Sequence, residues 1–166
     1  MGGHATFFEV GDRSIGHDAL LRRIVRSGHE LGDHSYSHDE VGEGVSTAAI
    51  VKTIARTQQR FRQATGAVPA LFRPRAGDYD GRLPRIAAER HLAIVLWSLH
   101  SGDTNGDSAP QITRTVLGGA RPGAIVLMHE TAPATIEAVP AIVRGLKKKG
   151  YRMVTVSELL AAGVPR

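Results

Sequence analysis

The chain has 166 residues, of which 42% are apolar and 22% charged, so it is long enough for one domain with a substantial core. We expect a single domain over residues 1–166, because two ordinary domains would need a longer chain. The absence of cysteine excludes disulfides and thiolate metal sites and leaves histidine and carboxylate groups as metal ligands. No apolar run reaches the ~20 residues that span a bilayer, and the N-terminus lacks the pattern of a signal peptide.

The net charge of +5 is compatible with an acidic partner such as a cell-wall polymer or a nucleic acid. The lysine run 147–149 has a simpler explanation, because cations are favoured at the C-terminus of a helix and Gly150 supplies the stop. Aromatic residues are not interleaved with the basic ones. The sequence therefore predicts no nucleic-acid partner and no membrane span.

Short apolar segments alternate with helical patterns along the whole chain, which is typical of an α/β fold built from βα units around a parallel sheet or barrel. A last helix around Ile136, Val139, Val143 and Leu146 is expected to start or kink at Pro140. Ser46 is the expected N-cap of the longest helix. The predicted strands are 5–10, 30–34, 71–73, 93–97, 124–129 and 152–156, and the other helices are 17–26, 47–65, 81–91, 110–120 and 157–162.

Four residues with useful chemistry lie at or just beyond the C-terminal ends of predicted strands: His34, Arg73, Asp103 and His129. Parallel α/β folds build their sites at this edge. The spacing of His34 and His38 allows both rings to bind one metal ion, and imidazole suits zinc, cobalt, nickel or iron. The alternative is a pair of solvent-facing histidines in a turn.

His129 follows an apolar strand, where an imidazole is suited to proton transfer near neutral pH, or is simply a buried histidine with a satisfied hydrogen bond. Arg73 opens the segment Arg-Pro-Arg-Ala-Gly, in which a guanidinium could bind a carboxylate through two hydrogen bonds. The same segment read alone would be a structural turn.

Taken in order, these segments resemble the carbohydrate esterase family that contains NodB, peptidoglycan and chitin deacetylases and xylan esterases. The strand Ala-Thr-Phe-Phe is similar to the one that follows the first motif of this polysaccharide deacetylase family, and the resemblance covers nearly the whole chain. The segments that carry it are 5–8, 34–38, 73–77, 97–103 and 127–129.

The resemblance implies a distorted (β/α) barrel of the NodB type and a metal-dependent hydrolase that removes N-acetyl or O-acetyl groups from polysaccharides. The implied cofactor is a divalent metal, commonly zinc, held by one aspartate and two histidines, which would be His34 and His38. A second aspartate would be the general base. The implied substrate is an acetylated glycan, and family analogy implies secretion or the cell envelope.

The resemblance also implies roles for further residues. His129 would protonate the departing amine, Asp103 would hold His129, and Arg73 would orient the base aspartate. Leu127 would line the acetyl pocket, and the backbone N–H of Ala76 would help to bind the oxyanion.

The family's first motif, Thr-Phe-Asp-Asp-Gly, is expected before the strand at residues 5–8, where this sequence has only four residues. The metal-binding aspartate, the general base and the first barrel strand are therefore expected to be missing, and neither Asp12 nor Asp18 has the motif context to replace them. Arg75 and Ala76 replace the family's Pro and Tyr, and His100 stands where an aspartate is common.

Three functions follow as hypotheses. The leading one is deacetylation of peptidoglycan or chitin-like oligosaccharides. A second keeps the fold and hydrolyses cyclic ureides or imides. A third is a catalytically silent carbohydrate-binding or metal-binding module, since loss of a general base alone removes roughly 10²- to 10⁴-fold of rate.

Overall fold

The structure is a computed structural model that describes residues 2–163, and these residues form two compact units. The first unit is Thr6–Leu96. Its four strands form one parallel sheet in the order β1-β2-β3-β4. The elements are β1 Thr6–Glu9, α1 Asp18–Arg26, β2 Glu30–Asp33, α2 Thr47–Thr65, β3 Leu71–Phe72, α3 Leu83–Glu89 and β4 Ala93–Ile94.

The second unit joins Trp97–Arg166 with Met1–Ala5 and is described for residues 2–5 and 97–163. It contains a parallel pair of strands, β5 and β6. Its elements are β5 Leu99–His100, α4 Ala109–Gly119, β6 Val126–Leu127, α5 Pro133–Lys148 and α6 Val156–Ala161. The predicted α/β class with parallel strands is confirmed in both units, and the prediction of a single domain stays a prediction.

The bounds of α2 agree with the sequence prediction. The Ser46 hydroxyl accepts a hydrogen bond from the Ala49 N–H, which satisfies one of the unpaired donors of the first turn. Gly66 ends the helix at a φ of 79°, a conformation that disfavours residues with a Cβ. Ile50 and Ile54 are fully buried on the inner face of α2. Local caps and a regular apolar stripe therefore determine this helix.

Two apolar clusters surround the sheet of the first unit, and a third fills the second unit. On β2, Gly32 lies against the ring of Phe8, where an added Cβ would come within 2.4 Å of a ring carbon. The guanidinium carbon of Arg73 lies 4.0 Å from the centroid of the same Phe8 ring. Phe8 thus links the packing of the sheet to a residue of the predicted site.

Helix α5 differs from the prediction. It starts at Pro133, whose ring suits the first turn of a helix, and it continues through Pro140. The predicted start at Pro140 is wrong, because burial of Ala138, Ile142 and Leu146 on one face favours a continuous helix across the proline. Ile136 lies outside this buried face and is 63% exposed.

The predicted strand at 152–156 is absent from the described structure. The Thr155 hydroxyl instead accepts from the Glu158 N–H at 3.2 Å, while the Glu158 carboxylate accepts from the Thr155 N–H at 2.8 Å. This capping box starts α6, so the local cap outweighs the β-branched character of the segment. The predicted strand at 93–97 is also shorter, since β4 ends at Ile94 and the next strand, β5, begins at Leu99. Among the described residues, none of the helices has the length and apolar character to cross a membrane.

We expect Gly32→Ala to lower the free energy of unfolding by about 1–3 kcal/mol, because the new methyl group must displace the Phe8 ring. Urea denaturation followed by circular dichroism measures this difference. Gly81→Ala is the matched control, since a Cβ there meets open space. Equal stabilities of the two variants would contradict the close packing of Gly32 against Phe8.

Candidate functional site

The two predicted metal-binding histidines lie in the histidine loop, residues 34–39, which follows β2 directly. The rings of His34 and His38 have centroids 4.9 Å apart and planes inclined by 56°. The Nδ1 atom of His34 lies 2.6 Å from the carbonyl oxygen of Arg73. Because a carbonyl oxygen only accepts, Nδ1 is the donor, and the neutral ring then carries its lone pair on Nε2.

Two residues of the histidine loop have a backbone conformation with positive φ. Ser35 has a φ of 63° and His38 a φ of 59°, a region that residues with a Cβ rarely adopt. Such conformations persist only where surrounding contacts hold them. Part of this support is local, since the Ser35 N–H donates to Asp33 Oδ1 at 2.8 Å.

Arg73 is buried directly after β3. Its Nε donates to the carbonyl of Val95 at 3.2 Å and its Nη2 to the carbonyl of Leu96 at 3.0 Å. Burial lowers the pKa of Arg73 to about 10, so the side chain remains a cation at neutral pH. The guanidinium is thus held by backbone oxygens at the end of the sheet.

The turn after Arg73 carries the predicted oxyanion donor. Ala76 is exposed and has a φ of 54°, within a short 3₁₀ turn. Arg75 forms a surface ion pair with Glu40, at 3.2 Å between Nη1 and Oε1. The extra positive charge at this turn is therefore paired with a residue that follows the histidine loop.

In the second unit, the structure brings Asp103 and His129 together as predicted. The Nδ1 atom of His129 lies 3.2 and 3.3 Å from the two carboxylate oxygens of Asp103. Asp103 Oδ2 also accepts from the His129 N–H at 2.5 Å and from the Thr135 hydroxyl at 3.0 Å. The Asp103 side chain is fully buried, whereas that of His129 is 40% exposed. One edge of the imidazole is therefore anchored while the ring remains accessible.

Asp103 remains ionised in this environment. Burial by itself raises the pKa of the carboxyl, but the hydrogen bonds from His129, Thr135 and Ser101 outweigh it and hold the pKa below its usual value. An ionised carboxylate only accepts, so the Nδ1 atom of His129 carries the proton of this contact. Proton exchange with a substrate is then left to Nε2.

Leu127 lies on β6, two residues before His129, and is 8% exposed. It pairs in register with His100 of β5, and its carbonyl oxygen accepts from the Ser101 N–H at 3.2 Å. The backbone of Leu127 thus connects the two segments that carry Asp103 and His129.

A comparison with known families matches residues 1–95 to the family described as polysaccharide deacetylase. The chain belongs to the polysaccharide deacetylase family. It is 35% identical over 155 residues to the peptidoglycan-N-acetylglucosamine deacetylase PgdA of Listeria monocytogenes, covering 93% of this chain and 32% of PgdA. The chain spans between 32% and 48% of the length of four curated relatives that it matches.

Two solved structures extend the comparison. The peptidoglycan deacetylase PdaC of Bacillus subtilis superposes with a TM-score of 0.89 at 30% identity, covering 96% of this chain and 77% of that chain. A CE4 family pseudoenzyme of Bacillus anthracis superposes with a TM-score of 0.88 at 28% identity, covering 95% and 56%. These likenesses confirm the predicted NodB-type α/β fold.

The family implies a divalent metal, and the donor chemistry of the histidine loop fits part of such a site. Two rings that bind one tetrahedral ion through nitrogens at ~2.1 Å have centroids about 5 Å apart, close to the spacing observed here. A ligating histidine usually donates its other N–H to an oxygen acceptor, as His34 does to the Arg73 carbonyl. Within residues 2–163, no group of three or more histidine and carboxylate side chains forms a complete metal-binding cluster. The loop therefore fits two ligands of the family's three.

Asp33 falls within the predicted strand 30–34 and was assigned no role from the sequence, but it is a buried carboxyl next to His34. Asp33 is fully buried, and its Oδ2 has no hydrogen-bond partner among the described residues. Burial raises the pKa of Asp33 to about 8, against a smaller lowering effect of the hydrogen bond from the Ser35 N–H. The signal in the sequence was the position of Asp33 near the end of a short predicted strand, directly after Leu31 and Gly32.

The raised pKa of Asp33 makes the unfolding free energy depend on pH. Between pH ~4 and pH ~8 the folded chain keeps a proton that the unfolded chain has lost, so stability falls as pH rises. Asp33→Asn removes this titration, and we expect it to stabilise the protein by at least about 2 kcal/mol more at pH 8.5 than at pH 5.

Urea unfolding at the two pH values, in the presence of a chelator, measures the effect. Asp78→Asn is the matched control, because the same substitution there removes an exposed carboxyl instead of a buried one. Parallel pH dependences of Asp33→Asn and the wild type would contradict the raised pKa.

Proposed function

We propose that this chain is part of a metal-dependent hydrolase that removes acetyl groups from polysaccharides, with N-acetylated peptidoglycan or chitin-like oligosaccharides as substrates. The observation that carries the proposal is the hydrogen bond from His34 Nδ1 to the Arg73 carbonyl, because it prepares Nε2 as a metal ligand. The similarity to the peptidoglycan deacetylases PgdA and PdaC supports the substrate class.

His34 and His38 would hold the ion, with zinc as the first candidate and cobalt, nickel or iron as alternatives. A bound divalent ion supplies Lewis acidity toward the acetyl carbonyl and lowers the pKa of water. The third ligand and the general base are the aspartates of the family's first motif, which we propose to be supplied by a segment upstream of residue 1.

His129 would donate a proton from Nε2 to the departing amine nitrogen. Asp103 supports this role, because its ionised carboxylate accepts from Nδ1 and from the backbone N–H of His129 and so fixes the ring. A carboxylate at Nδ1 also stabilises the protonated imidazole that a general acid requires. Leu127 would contribute apolar surface to the acetyl pocket.

Arg73 would orient the carboxylate of the general base. Its bonds to the carbonyls of Val95 and Leu96 fix the plane of the guanidinium, which has five N–H donors in all. The exposed backbone at Ala76, held at positive φ after Pro74, would present an N–H to the oxyanion.

A catalytically silent binding module is the second candidate. It is favoured by the likeness to the CE4 family pseudoenzyme and by the absence of a complete ligand cluster from residues 2–163. Such a module would keep the fold and the histidine pair but release no acetate.

The metal site can be tested by elemental analysis after dialysis against zinc. We expect replacement of both His34 and His38 by Ala to abolish bound zinc, because the double substitution removes both of the ligands that we propose within this chain. His17→Ala, an exposed histidine in the same unit, should leave the zinc content unchanged. Unchanged zinc after the double substitution would remove the metal site from the proposal.

The acid role of His129 can be tested on a chain extended upstream to include the Asp-Asp motif. We expect His129→Ala to lower kcat for acetate release from an N-acetylglucosamine oligomer by roughly 10²- to 10⁴-fold. An aryl acetate, whose leaving group needs no proton, should lose far less rate, and bound zinc should not change.

Equal losses on both substrates would argue against His129 as the acid. Zinc binding by the extended chain without acetate release would favour the silent module.

A further inference from the structure

The histidine loop is attached to the side of helix α2 through one hydroxyl group. Thr53 is 7% exposed, and its hydroxyl donates to Asp39 Oδ2 at 2.5 Å and accepts from the Tyr36 N–H at 2.7 Å. Tyr36 and Asp39 lie on either side of His38 in the chain. A single side chain of α2 therefore contacts the loop both before and after the second histidine.

Asp39 completes this attachment from within the loop. Its Oδ2 atom also accepts from the Ser37 N–H at 3.1 Å, and its own N–H donates to the Ser35 hydroxyl at 2.6 Å. One turn along α2, the guanidinium carbon of Arg56 lies 3.6 Å from the centroid of the Tyr36 ring. The loop is thus closed on itself by Asp39 and tied to the helix by Thr53.

Thr53 behaves differently from other threonines of the same helix. The hydroxyls of Thr57 and Thr65 donate to backbone carbonyls four residues earlier, those of Thr53 and Phe61. This is the usual bond of a threonine within a helix, and it does not involve the rest of the fold. The hydroxyl of Thr53 points instead to the histidine loop, so helix formation alone does not account for its bonds.

The backbone of the loop requires such support. His38 and Ser35 both have positive φ, which is unfavourable for residues with a Cβ. Without supporting contacts, these residues would return to a favourable conformation with negative φ. The bonds of Asp39 and Thr53 reach the residues on both sides of His38. They therefore oppose the relaxation that would turn the His38 ring away from His34.

We propose that Thr53 and Asp39 are positioning residues that hold His38 at positive φ and thereby set the affinity of the histidine pair for a divalent metal. This inference rests on the proposed metal site but assigns a role to two residues outside its ligands. Outer residues of this kind typically change metal affinity by 10- to 100-fold.

The experiment is a competition titration of the protein with Zn²⁺ against a chromogenic chelator. We expect Thr53→Val, which keeps the shape and removes both hydrogen bonds, to weaken zinc binding by roughly 10- to 100-fold. Thr53→Ser keeps the hydroxyl and should stay within about threefold of the wild type. Asp39→Ala, a substitution at an exposed residue, should weaken binding in the same direction.

Thr65→Val is the matched control, because its hydroxyl likewise makes two hydrogen bonds, donating to the Phe61 carbonyl and accepting from the Ala67 N–H, far from the loop in sequence. It should leave zinc affinity unchanged. Urea unfolding of every variant without metal separates affinity from stability, since a merely structural role would change unfolding and not the affinity of the folded protein.

The outcomes separate the inference from the proposed function. If His38→Ala removes zinc binding while Thr53→Val and Asp39→Ala bind as the wild type does, the positioning role is overturned and the metal site stands. If His38→Ala leaves zinc binding unchanged, the metal site itself is overturned, and the inference with it.

Discussion

The hydrogen bond between His34 Nδ1 and the Arg73 carbonyl oxygen, 2.6 Å long, is the contact on which the site in the first unit depends. It forms only because β2 and β3 are parallel neighbours, with the Arg73 N–H donating to the Asp33 carbonyl at 2.9 Å. A slip of one residue would send every side chain of a strand to the opposite face. The sheet register therefore decides which nitrogen of His34 faces outward.

The interior of this unit contains ionisable groups that a purely structural core would avoid. Arg73 stays cationic and is held by two carbonyls and by the face of Phe8, whereas burial leaves Asp33 protonated at neutral pH. Buried ionisable groups with shifted pKa values contribute little to stability and are concentrated at functional sites. Asp33 precedes His34 in the chain and the Arg73 carbonyl accepts from its ring, which agrees with a site rather than with a stabilising pair.

The same hydrogen-bond pattern at a histidine occurs in both units. In each, a histidine after a strand donates its Nδ1 proton to an oxygen, so that Nε2 is the atom left for reaction. For His34 the acceptor is a neutral carbonyl, which suits a neutral ligand of a metal ion. For His129 the acceptor is the Asp103 carboxylate, which suits a ring that carries and donates a proton. The acceptor therefore distinguishes the proposed roles of two otherwise similar residues.

The sequence by itself determined the features that depend on neighbouring residues: the caps and stripe of α2, the α/β alternation, and the order of motifs that identifies the family. It also predicted the pairing of Asp103 with His129 through that resemblance. Only the tertiary structure decided that α5 runs through Pro140, that Asp33 is buried, and that Thr53 binds the histidine loop. At residues 152–156 two local patterns competed, and the capping box of Thr155 and Glu158 prevailed over the β-branched residues. The other outcomes depend on contacts between segments distant in sequence, and no local pattern of residue types contains that information.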